Sequence, residues 1–216
     1  MPGVRTDLPG VDYYIVRCDR WDMDGYIRSK GDPARCIGHF RQESDDLEPM
    51  WGAKGLKRRV DLMKDRGVSR AVCMDFSTFL EWPVAIRIWN IYRAAVVNNS
   101  MMDLGIQMLA APPCLSCLPE HHDLHLGMLP DTLDGPVLLD VGTLRNLEIN
   151  DRLWRASAEY LRKKWPTLCE QGQIWLWGAS PLYARWWSTN IGPCQWVKSR
   201  AYMQSRVVRH RERIRK

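Results

Sequence analysis

Arg35-Cys36-Ile37-Gly38-His39-Phe40 is the stretch whose reading sets the fold. Its apolar residues are largely continuous rather than alternating. A run of that kind suits a strand buried on both faces, as in a parallel sheet. Four more runs lie further along the chain: Arg70–Met74 (RAVCM), Ile106–Ala110 (IQMLA), Pro136–Leu139 (PVLL) and Gln173–Trp177 (QIWLW). Their starts are 35, 36, 30 and 37 residues apart, about the length of one βα unit. Asp12–Cys18 (DYYIVRC) reads as a further strand.

Helical periodicity fills the intervals. Leu56–Arg66 carries Leu56, Val60 and Met63 on one stripe, and Gly67 stops it. Pro83 suits a first helical turn, and Val84, Ile88, Ile91 and Ala95 come after it on one face. From Asp151, Trp154, Ala158, Leu161, Trp165 and Leu168 recur at steps of three and four, with Asn150 or Asp151 as the cap and Gly172 as the stop. Pro166 predicts a kink or an early end, because an interior proline breaks the hydrogen-bond ladder. The expected fold is therefore α/β, with a mainly parallel sheet of about five βα units. A partial barrel and an open doubly wound sheet both satisfy the pattern.

The chain has 216 residues, and 45% hydrophobic with 26% charged is ordinary usage for a folding body. The net charge of +6 is unevenly placed. From Lys198 onward there are eight bases (Lys198, Arg200, Arg206, Arg209, Arg211, Arg213, Arg215, Lys216) and one acid, Glu212, giving +7 and leaving −1 for the rest. The expected division is a single α/β domain over 1–195 and a basic tail over 196–216. Most of the eleven tryptophans are expected to fill the core. No apolar run reaches the ~18 residues of a membrane span. The N-terminal residues do not read as a secretory signal, and seven scattered cysteines read as reduced thiols, so a cytoplasmic location is expected.

In parallel α/β folds the loops converge at the carboxyl ends of the strands, and ligands bind there. Reading those ends selects His39, Asp75, Ser77, Asp140 and Thr143 as candidate catalytic residues. Two carboxylates sharing a cavity suit a divalent metal or a shared proton. That chemistry is hydrolytic or phosphoryl transfer. Asp and Ser at strand ends also cap the next helices, which is their ordinary structural use.

His39-Phe40, Asp75-Phe76-Ser77 and the Trp82–Arg93 block, with its proline-started helix and Trp89, Asn90, Tyr92 and Arg93, resemble an uncharacterised bacterial and phage family, domain of unknown function 4417. The likeness spans about Ile37 to Gly178 and is specific around Asp75–Arg93. Met74 stands where the family has proline, and a Cys/His-rich segment replaces an aromatic one. The resemblance implies a phage, plasmid or other mobile-element setting and no established reaction.

The Cys/His segment holds Cys114, Cys117, His121, His122 and His125. Cys114 and Cys117 form a CxxC pair, and His122 stands at a zinc-knuckle gap from it. His125 or His121 completes a Cys2His2 set for Zn²⁺. The same histidines suggest a rolling-circle nicking enzyme, with Tyr160 and Lys164 as the tyrosine–lysine pair, but His122 and His125 are separated by two residues where that site has one.

Trp196–Lys216 (WVKSRAYMQSRVVRHRERIRK) is expected to be helical, with arginines around most of its circumference. Such a segment matches nucleic-acid phosphates. Docking on an acidic protein or on a second copy of the chain is the alternative, and a membrane contact is not expected. The sequence thus points to three function classes: a mobile-element protein contacting nucleic acid through its tail, a small metal-assisted hydrolase or phosphoryl-transfer enzyme, and a zinc-stabilised interaction module.

Overall fold

The computed structural model describes residues 10–18, 20–28, 30–40, 53–73, 99–110, 129, 131–133, 135–141 and 147–199. Seven strands are present among them, all parallel. They are β1 (Tyr13–Arg17), β2 (Cys36–Phe40), β3 (Arg70–Cys73), β4 (Gln107–Leu109), β5 (Val137–Asp140), β6 (Ile174–Trp177) and β7 (Cys194–Ser199). The described helices are α1 (Arg20–Arg28), α2 (Ala53–Asp65), α3 (Asn99–Asp103), α4 (Leu147–Lys164), α5 (Pro166–Glu170) and α6 (Pro181–Asn190). The α/β reading with parallel strands holds, with seven strands in place of five or six.

The chain divides into two compact units. Of the described residues, one unit holds those of Tyr13–Met108, and the other holds those of Leu109–Lys198 with Gly10–Asp12. In the first unit the strands lie in the order β4-β3-β2-β1. Ile15 pairs with Ile37, and Gly38 pairs with Ala71. Every residue of β2 is buried, as its continuous apolar run requires. The two faces of β2 are separable. Cys36 Sγ lies 3.9 Å from Met23 Sδ of α1, and a Cβ built at Gly38 would meet Met63 of α2. Alternation therefore turns Cys36, Gly38 and Phe40 toward the helices, and Ile37 and His39 the other way. Arg66, just past α2, reaches Asp24 of α1 through Nε (2.8 Å) and NH2 (2.6 Å), tying the two helices together.

In the second unit the order is β7-β6-β5, with Leu139 paired to Leu176 and Leu176 to Trp196. Ala110 adds a parallel bridge to Val137. Cys194 Sγ contacts Ser188 Oγ (3.4 Å) of α6, so Cys194 and Trp196 share the helix-facing side of β7. Within each unit the strands succeed one another in chain order. Both a barrel and each half of a doubly wound sheet have that winding.

Helix α4 starts at Leu147, four residues before the expected Asp151. Its stripe is as read: Trp154, Ala158, Leu161 and the following Trp165 are all buried. Pro166 does not kink α4. The helix ends at Lys164, and the proline opens the separate α5 at a position that needs no N–H. Trp154, Trp165, Trp175, Trp187 and Trp196 are buried, as expected of core fillers. Among the described residues no helix is long and apolar enough to cross a membrane.

Candidate active site at the strand ends

Parallel strands in register bring their carboxyl ends to one level. In the first unit Arg17, the last residue of β1, pairs with His39 of β2, which pairs with Val72 of β3. The ladder continues one step further, since the Cys18 amide donates to the His39 carbonyl at 3.0 Å. Arg17 and His39 thus occupy neighbouring positions about 4.8 Å apart along the hydrogen-bonding direction, on the same face. That face is the one turned away from α1 and α2, because Gly38, next to His39 in β2, faces Met63. His39 is 8% exposed, and Arg17 is half-buried.

This pair is chemically useful. A guanidinium presents a planar fork of donors that matches two oxygens of a phosphate or carboxylate. An imidazole exchanges a proton near neutral pH and also ligates metals. Arg17 is absent from the candidates drawn from sequence, although the strand-end rule applied to DYYIVRC leads straight to it.

In the second unit Asp140 closes β5, and its position pairs with Trp177, which pairs with Val197. Backbone bonds extend this end as well: Val141 N donates to Trp177 O (2.9 Å), and Gly178 N donates to Val197 O (3.2 Å). Gly178, at φ 77, then turns the chain out of β6. Ser180 caps α6, its hydroxyl accepting from the Tyr183 amide at 3.1 Å, with Pro181 in the first turn. One strand-end serine therefore has the ordinary structural use.

Asp75, Ser77 and Thr143 lie outside the described residues, and Asp140 is described by its backbone. Cys114, Cys117, His122 and His125 also lie outside them, as do Arg200 and the tail arginines Arg206, Arg209, Arg211, Arg213 and Arg215, with Lys216. Among the described residues no three His, Cys, Asp or Glu side chains gather as a metal site.

Lys198 is a correction. The segment from Trp196 is expected from sequence to be helical, but Trp196–Ser199 belongs to β7. Trp196 and Val197 are buried in the sheet, and burial decides conformation over the run of charge beyond them. Lys198 Nζ sits 5.0 Å from the Trp196 ring centre, and burial lowers its pKa. It is a half-buried strand residue. Tyr160 and Lys164 lie on one face of α4, with Nζ 5.9 Å from the ring centre. The ammonium is held by Asp131 at 2.8 Å, which raises the pKa of Lys164. No family model, no curated protein and no solved structure matches the chain.

Proposed function

We propose that this protein acts on a phosphate-bearing substrate, a nucleic acid above all, at the carboxyl ends of its parallel strands. The supporting observation is the adjacency of Arg17 and His39 on the face turned away from α1 and α2, at the end of the sheet where such folds bind ligands. Arg17 would neutralise the non-bridging phosphate oxygens, and His39 would move the proton of the attacking water or the leaving oxygen. Asp75 and Ser77 come after β3 in sequence, in the same unit as Arg17 and His39. In this reading they would hold a divalent ion. The basic C-terminal segment supplies attraction for the polyanion, and the thiols of Cys36, Cys169 and Cys194 suit a cytoplasmic setting.

The test is phosphatase and nuclease assay on nucleotides, single-stranded DNA and RNA with Mg²⁺ or Mn²⁺. His39→Asn is expected to lower turnover by about 100-fold or more, and Arg17→Ala to raise KM and lower kcat, with circular dichroism unchanged. Wild-type turnover in both variants would refute the assignment.

A further inference from the structure

A groove of about 450 Å³ opens between α4 and α6, lined by Glu159, Arg162, Lys163, Trp186, Asn190 and Ile191. It is built from two helical stripes. Positions 155, 159, 162 and 163 recur on one side of α4, and positions 186 and 190 do so on α6. The walls are fixed by named bonds. Arg162 NH1 donates to the Asn190 carbonyl at 3.0 Å, and Asn190 Nδ2 donates to the Trp186 carbonyl at 2.7 Å. The Trp186 ring is held by Tyr183, stacked at 5.7 Å and 21°, and by the Arg155 guanidinium 5.0 Å from its centre.

Charge is the feature that these bonds leave over. Among the lining residues Arg162 and Lys163 stand against a single acid, Glu159. Satisfying the end of α6 accounts for Arg162. It does not account for Lys163, which is exposed and has no ion pair among the described residues, or for an aromatic wall beside it. A fixed cationic groove with an aromatic wall is how single-stranded nucleic acid is held without regard to sequence.

We infer that the α4–α6 groove binds the backbone of a single nucleic-acid strand, with Arg162 and Lys163 on phosphate beside Trp186. This rests on the reading of the protein as one that handles nucleic acid. It adds a second binding surface in the folded body, independent of the basic tail.

The experiment is fluorescence anisotropy of the full chain with a fluorescein-labelled twelve-nucleotide oligothymidylate at several salt concentrations. Lys163→Glu is expected to weaken binding about tenfold at low salt and to flatten the log–log salt slope by ~0.7 for each phosphate no longer neutralised. Glu159→Gln is expected to tighten binding two- to threefold, a gain that damage to the fold would not produce. Wild-type affinity in both variants would overturn the groove. If Gln at Arg209, Arg211, Arg213 and Arg215 then abolished binding, the nucleic-acid reading would stand on the tail alone. If wild-type protein bound no oligonucleotide but bound a labelled polyglutamate peptide through Lys163, the occupant would be an acidic protein. The groove proposal and the nucleic-acid reading would then both fall.

Discussion

Gly38 of β2 lies so close beneath Met63 of α2 that a methyl group on it would stand 2.8 Å from the methionine sulfur. The Cys18 sulfur would be 2.6 Å away from the same carbon. Only a residue without a side chain lets α2 settle onto the sheet here. Gly38→Ala is therefore expected to destabilise the protein by about 1–3 kcal/mol through overpacking. Urea unfolding should show a lower midpoint at unchanged slope. Met63→Ala in the same chain should recover part of the loss, giving a double mutant more stable than the sum of the single effects.

The link between α1 and α2 offers a second check. Asp24 accepts two bonds from one guanidinium, and the Asp24 and Arg66 side chains are 21% and 28% exposed. Water screens a pair of that exposure in part, so Asp24→Asn is expected to cost about 1 kcal/mol. The loss should shrink at high salt, when unfolding is compared at low and molar ionic strength.

Burial sets the alkaline limit of the first unit. The Cys36 thiol lies in the core against Met23, and desolvation pushes its pKa from 9.0 up to about 12. Below pH about 9 the thiol is protonated in both folded and unfolded chains, so it contributes no pH dependence. Between 9 and about 12 the unfolded chain ionises first, and stability falls as pH rises. Cys36→Ala should flatten that part of the stability–pH curve. A neutral-pH thiol titration of the native protein should leave Cys36 unmodified, while the same titration in urea should reach it.

In the second unit Tyr183 bridges the two helices that flank the groove. Its hydroxyl donates to the Trp154 carbonyl at 3.0 Å in a buried position, and its ring packs edge-on against Trp154 and Trp187. Tyr183→Phe removes the bond and keeps the ring. The expected loss is about 1 kcal/mol in chemical denaturation.

Strands β1 to β6 are legible in the sequence because strands in a parallel sheet shed their polar residues and read as short apolar runs. β7 is not legible. Its last residues run into a basic segment, so Lys198 groups by charge with the arginines after it, while the sheet buries Trp196 and Val197 just before it. α1 escapes notice because Arg20–Arg28 carries two acids and a glycine within nine residues and shows a weak stripe, yet Met23 and Tyr26 are fully buried in the first unit. At the candidate site His39 is found by applying the strand-end rule to β2. Arg17 is missed when the same rule is not carried to β1, whose strand is itself recognisable. The start of α4 is misplaced since Asn150 and Asp151 look like caps, and nothing local marks them as interior.

The succession of strands in chain order has a kinetic meaning. Within each unit every strand pairs with the one made just before or just after it. Within each unit a new βα segment can therefore dock on a strand already made, with modest loop-closure entropy. Because the pairings do not depend on the loops leaving the strands, those loops are free to lengthen or change composition. New chemistry can be gained there without rethreading the sheet.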